Sequence, residues 1–93
     1  MSDWPFLDSE NVPVATVRQI VDRDYPILFV THEPNGLWQF CTGNPIETED
    51  IMIVSFREIF EIDNSIASLA DLPIGWMAER QAIGHLWHRK PNK

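Results

Sequence analysis

The chain has one cysteine, few cations and no long apolar run. A lone Cys41 excludes a disulfide within the chain and permits a reducing compartment. No stretch approaches the roughly eighteen apolar residues of a spanning helix, so no membrane segment is predicted. The start, Met1-Ser-Asp-Trp-Pro, lacks the basic and apolar runs of a secretory signal, and the expectation is a cytoplasmic protein. Only seven Lys and Arg stand against fourteen Asp and Glu. Phosphate binding needs clustered cations, so nucleic acid is excluded as a partner of the main body. The sequence also lacks a Gly-rich phosphate loop, the G-x-S-x-G and H-E-x-x-H motifs, internal repeats and low-complexity tracts.

What is present fits one small folded domain. Ninety-three residues make a single domain over 1–93, with residues 1–11 as an N-terminal arm and 89–93 as a frayed basic tail. A chain of this mass buries roughly 65% of its unfolded surface, enough for a modest core. The 44% hydrophobic content and ten aromatic residues argue for folding over disorder. The net charge of −7 is uneven: residues 1–64 hold twelve acids against three arginines, and residues 65–93 hold two acids against four cations. That split mildly favours a basic protein partner, although acidic charge also serves solubility alone.

Tyr25 to Gly43 is the strongest local signal. Ile27–Val30 and Leu37–Cys41 are apolar runs, separated by the turn residues Glu33, Pro34, Asn35 and Gly36. This predicts a β-hairpin around a four-residue loop, with His32 opposite Leu37 and Cys41 opposite Leu28. Before it, Trp4, Phe6 and Leu7 are placed to anchor the arm. Residues 12–16 read as a short strand, at an edge because Pro13 cannot donate a ladder bond. Thr16 then caps a helix with Val17, Ile20 and Val21 inward, ending near Asp24 ahead of Pro26. After the hairpin, Ile51–Val54 reads as a strand buried on both faces. Ser55 and Glu58 form a capping box for a helix over Phe56–Ile62. Ser65 caps a further short turn with Ile66, Leu69 and Leu72 inward. Trp76–Ala82 reads as a last helix ended by Gly84.

Several residues are candidates for chemistry. His32 and Glu33 offer an acid–base pair, but adjacent strand positions point to opposite faces. Register separates Cys41 from His32, so it is read as a small buried hydrophobe. His85 and His88 do not complete a metal-ligand set, and neither a metal nor a cofactor is expected. Glu47, Glu49 and Asp50 form the densest acidic run, without the spacing of a calcium loop. They are read as solvated surface or as a contact for a basic partner. Trp38, Trp76 and Gly36 are structural: two core anchors and a turn residue.

Two blocks carry a family resemblance. One runs through Pro26-Ile-Leu-Phe-Val-Thr-His-Glu, Gly36-Leu-Trp-Gln-Phe, Cys41-Thr-Gly and Glu49-Asp; the other is Leu69-Ala-Asp-Leu-Pro-Ile-Gly-Trp-Met-Ala. Together they resemble the immunity protein 33 family over about residues 12–88. Thr31 stands where that family usually has Ser, a departure with no bearing on chemistry. The resemblance implies an antitoxin role in bacterial polymorphic-toxin systems and transfers no catalytic residues.

The expected fold is α+β, with a small antiparallel sheet of three to four strands packed against two or three short helices. The leading expectation for function is a small bacterial binding protein, not an enzyme. It would inhibit a basic toxin domain through the acidic loop of Glu47, Glu49 and Asp50, with His32 and Glu33 as further contact candidates that need not join it in one patch. The alternatives are a small enzyme or ligand binder using His32 and Glu33, and a self-associating module pairing through an edge at Val12–Ala15.

Overall fold

A computed structural model of the chain describes residues 4–92; residues 1–3 of the expected arm and Lys93 of the expected tail lie outside them. Strand β1 (Pro13–Val17) runs into helix α1 (Arg18–Arg23), and β2 (Phe29–His32) and β3 (Trp38–Cys41) form the hairpin. Then come β4 (Ile51–Ser55), α2 (Phe56–Ile62), β5 (Trp76–Glu79) and β6 (His88–Pro91). Short 3₁₀ turns at Thr48–Asp50 and Asn64–Leu69 precede β4 and follow α2. The strands make one sheet in the order β4-β1-β3-β2-β5-β6. All neighbours are antiparallel except β1 and β3. The domain is α+β as expected, but its sheet has six strands rather than three or four, and it is mixed rather than antiparallel.

The hairpin loop is tighter than the apolar runs suggest. Glu33 N–H donates to the Leu37 carbonyl, and Gly36 N–H closes the turn on the Glu33 carbonyl, both at 2.8 Å. This added rung pairs His32 with Trp38 and Cys41 with Phe29, one position from the expected partners. Gly36, at φ 91°, takes the left-handed position that such a loop requires.

Thr16 does not cap α1. It lies within β1, where its Oγ1 donates to the Phe40 carbonyl at 2.8 Å, and Val17 takes the cap position without a side-chain bond. Ser55 does cap α2, its Oγ accepting from Glu58 N–H at 3.1 Å. The next turn is capped by Asp63, whose Oδ1 accepts from Ser65 N–H at 2.9 Å, and not by Ser65.

The second half departs most. Trp76–Glu79 is a strand, not the first turn of a helix, because the open side of β2 takes it into the sheet from His32↔Trp76 to Phe29↔Glu79. Pairing overrides local helix propensity here. Gly84, at φ 90°, sits in the turn that His85 N–H closes on the Ala82 carbonyl, and it ends no helix. The tail does not fray after Trp87: β6 pairs with β5 over His88–Pro91. Nor is β1 an edge, since β4 and β3 flank it; Pro13 is tolerated as its first residue. The edge is instead β4, so Ile51 and Ile53 are 48% and 63% exposed rather than buried on both faces.

Alternation along the strands sends Val14, Val30, Trp38, Phe40 and Ala78 to one face, where they meet Phe56, Ile59, Ile66 and Leu69 in a single core. The arm closes this core. Phe6 lies tilted 4.3 Å from Phe56, and Trp4 meets the same ring edge-on at 5.1 Å. Leu7, expected to join them, is fully exposed. Trp38 is 2% exposed, whereas Trp76 only packs against the core's margin. Ala15, Gln39, Thr31 and Met77 form a cross-sheet row on the opposite face. Among the described residues no helix is long and apolar enough to cross a membrane.

Candidate partner-binding surface

The structure does not gather the sequence-predicted site residues. The His32 ring lies stacked 4.0 Å from Trp38, and its Nδ1 donates to the Leu72 carbonyl at 2.8 Å. Glu33 follows it in the chain and points to the other face, so the two do not converge on one substrate. Cys41 shares that other face. Burial, with the Glu33 charge adding to it, pushes its thiol up to about 11, which keeps it protonated and unreactive near neutral pH.

The acidic run is divided as well. Asp50 is held by α1: Gln19 Nε2 donates to its Oδ2 at 2.8 Å, and Arg18 Nε lies 3.1 Å from its Oδ1. That arginine contact is out of line for a hydrogen bond and is an ion pair. Arg18 also donates to the Glu49 carbonyl at 2.8 Å, which fixes the 3₁₀ turn to the helix. Glu47 and the Glu49 side chain stay exposed.

A different residue organises this end of the molecule. α1 stops where Asp24 adopts a left-handed conformation at φ 58°, and Tyr25 N–H then reaches back to the Gln19 carbonyl at 3.0 Å. The turn carries Tyr25 outward, where it is 46% exposed. Tyr25 forms the wall shared by two concavities. The smaller, about 150 Å³, includes Arg23, Ile46 and Glu47. The larger, about 440 Å³, includes Asp24, Glu61, Ile62 and Ile83. Ile46, Ile62 and Ile83 are each more than 40% exposed, an apolar ring around a half-exposed aromatic. Asp24 and Glu47 supply negative charge at the rim, where Glu61 is paired with Arg57 at 3.1 Å and Arg23 adds one cation.

Such a surface offers groups suited to binding. It has an amphipathic aromatic, adaptable aliphatics and carboxylates that accept hydrogen bonds from Lys or Arg. Among the described residues no cluster of three or more His, Cys, Asp or Glu is arranged to hold a metal ion. Sequence reasoning located Glu47 but missed Tyr25, Ile46, Ile62 and Ile83. Ile46 inside an acidic loop was a readable signal, because an aliphatic there has no core to enter. Ile62 falls within the expected α2 helix and Tyr25 within the hairpin stretch, and neither position signals exposure. No family model matches the chain, nor does any curated protein or solved structure.

Proposed function

We propose that the chain is a protein-binding module of the immunity type, whose Tyr25-centred surface seats a basic partner such as a toxin domain. The observation that carries this reading is the exposed Tyr25 between two concavities, ringed by isoleucines and rimmed with carboxylates. Tyrosine is favoured at binding hot spots because it brings a rigid apolar body and a polar tip. The carboxylates complement a cationic partner and steer its approach. The net charge of −7 acts in the same sense. The resemblance of the hairpin and the Leu69–Ala78 block to immunity proteins supplies the partner class.

The test pairs the purified chain with the product of the adjacent gene and measures binding by calorimetry, alongside growth protection on co-expression. Tight binding that Tyr25→Ala weakens by roughly 30-fold, about 2 kcal/mol, supports the reading. Absence of both binding and protection ends it.

A further inference from the structure

The two edges of the sheet are built differently. β6 reads His-Arg-Lys-Pro, and cations and proline are the devices that keep an edge from pairing with another chain. β4, at the other edge, reads Ile-Met-Ile-Val-Ser and carries neither charge nor proline. Its Ile51 and Ile53 stand 48% and 63% exposed.

The free backbone groups of β4 follow from its pairing with β1. Phe56 N–H donates to the Val12 carbonyl at 2.9 Å, which sets the phase of the ladder. By alternation Val54 and Met52 bond inward to β1, and Ile51, Ile53 and Ser55 turn their N–H and C=O groups outward. Two of these outward groups are already used. Ile51 N–H donates to the Thr48 carbonyl. Ser55 is the N-cap of α2, where the cap carbonyl accepts the first helical bond. What remains is the Ile51 carbonyl, both groups of Ile53 and the Ser55 N–H.

That remainder is self-complementary. An antiparallel copy placed about a two-fold axis at Ile53 exchanges two bonds between the Ile53 residues. It also sets each Ser55 N–H against the other copy's Ile51 carbonyl. The groups that would be surplus are the two already satisfied within the chain. We propose that the protein self-associates through β4, joining two sheets into one continuous sheet about a two-fold axis at Ile53. A second copy fits better than an unrelated strand because the bond pattern is reciprocal about Ile53. This proposal is independent of the Tyr25 surface. A five-residue strand contact falls at the low end of specific interface sizes, so the dimer is expected to be reversible and concentration-dependent.

Sedimentation velocity over a wide micromolar range tests this with the full chain. The wild type should shift from 10.8 kDa toward twice that mass. Ile53→Lys sets two cations against each other at the axis and should raise the dissociation constant by roughly tenfold or more. Its melting curve should stay close to wild type, since the position is exposed. A wild type that stays monomeric throughout overturns the proposal. A dimer that survives Ile53→Lys does so equally.

Discussion

Arg80 Nη2 lies 2.7 Å from Asp63 Oδ2, with the arginine side chain 1% and the aspartate 13% exposed. The guanidinium also donates to the Ile27 carbonyl at 3.1 Å and to Ser65 Oγ at 2.9 Å, and its carbon sits 4.2 Å above the Trp87 ring. One buried cation thus ties the end of α2, the start of the hairpin and the segment leading to β6. Its charge is offset by a partner and its donors are used, which is the condition for keeping an ion inside.

Arg80→Met should therefore cost about 3–5 kcal/mol, because it leaves Asp63 without its counter-ion and the Ile27 carbonyl without its donor. Urea denaturation measures this directly. A midpoint within error of wild type would show that the cluster contributes nothing net.

Acid should expose the same contact. Burial alone would raise the Asp63 carboxyl, but the hydrogen bonds from Ser65 and Arg80 outweigh it and hold the group below its usual range. A depressed folded pKa gives stability that is fully present above the unfolded value, about 3.9, and that fades as pH falls through the lower folded value. The melting temperature should fall as pH drops below about 4, and Asp63→Asn should flatten that fall. Asp71 is also held low, by Arg89, but its side chain is 79% exposed. Asp71→Asn should leave the acid limb nearly unchanged.

Gly36 makes a conformational prediction with little packing in it. At φ 91°, an added Cβ would meet nothing within 4 Å, so the whole cost of a side chain falls on the backbone. Gly36→Val should cost about 1–2 kcal/mol, and Gly36→Asn distinctly less, since Asn tolerates this region. Equal midpoints for the two variants would mean that the loop relaxes to another turn.

The legible parts of the fold were those where local chemistry decides. Asn35-Gly36 marked the hairpin, Ser55 and Glu58 marked α2, and the approach of Pro26 marked the end of α1. The illegible parts were decided by distant partners. Nothing local in Trp76-Met-Ala-Glu distinguishes a helical turn from a strand; the open side of β2 settles it. Pro13 suggested an edge, yet β4 arrives from forty residues away to cover β1. The same arrival left Ile51 and Ile53 exposed, although continuous apolar runs ordinarily signal burial. At the candidate surface, Glu47 was visible as charge. Tyr25 was not, because its exposure follows from the left-handed turn at Asp24, which composition does not encode.

The rim of the Tyr25 surface gives the last prediction. Asp24 and Glu47 each line one of its two concavities, whereas Glu33 lies in the hairpin turn and lines neither. Asp24→Asn keeps a residue that accepts φ 58°, and Glu47 is exposed, so the pair of substitutions Asp24→Asn and Glu47→Gln should leave the melting curve nearly unmoved. Binding should respond differently. Exposed carboxylates around an interface act mainly on the approach of a charged partner, so the double variant should associate more slowly with a basic partner at low salt. The salt dependence of its on-rate should also flatten. Glu33→Gln removes one such charge elsewhere and should change neither. Asp50→Asn is a second contrast: its carboxylate is occupied by Arg18 and Gln19, so its effect should be a loss of about 0.2–1 kcal/mol in stability rather than a change in association. Stopped-flow association at two ionic strengths separates these cases. Slowing by Glu33→Gln about half as large, in log rate, as by the two-charge rim variant would mean that net charge alone steers the partner and that the Tyr25 rim has no special place in binding.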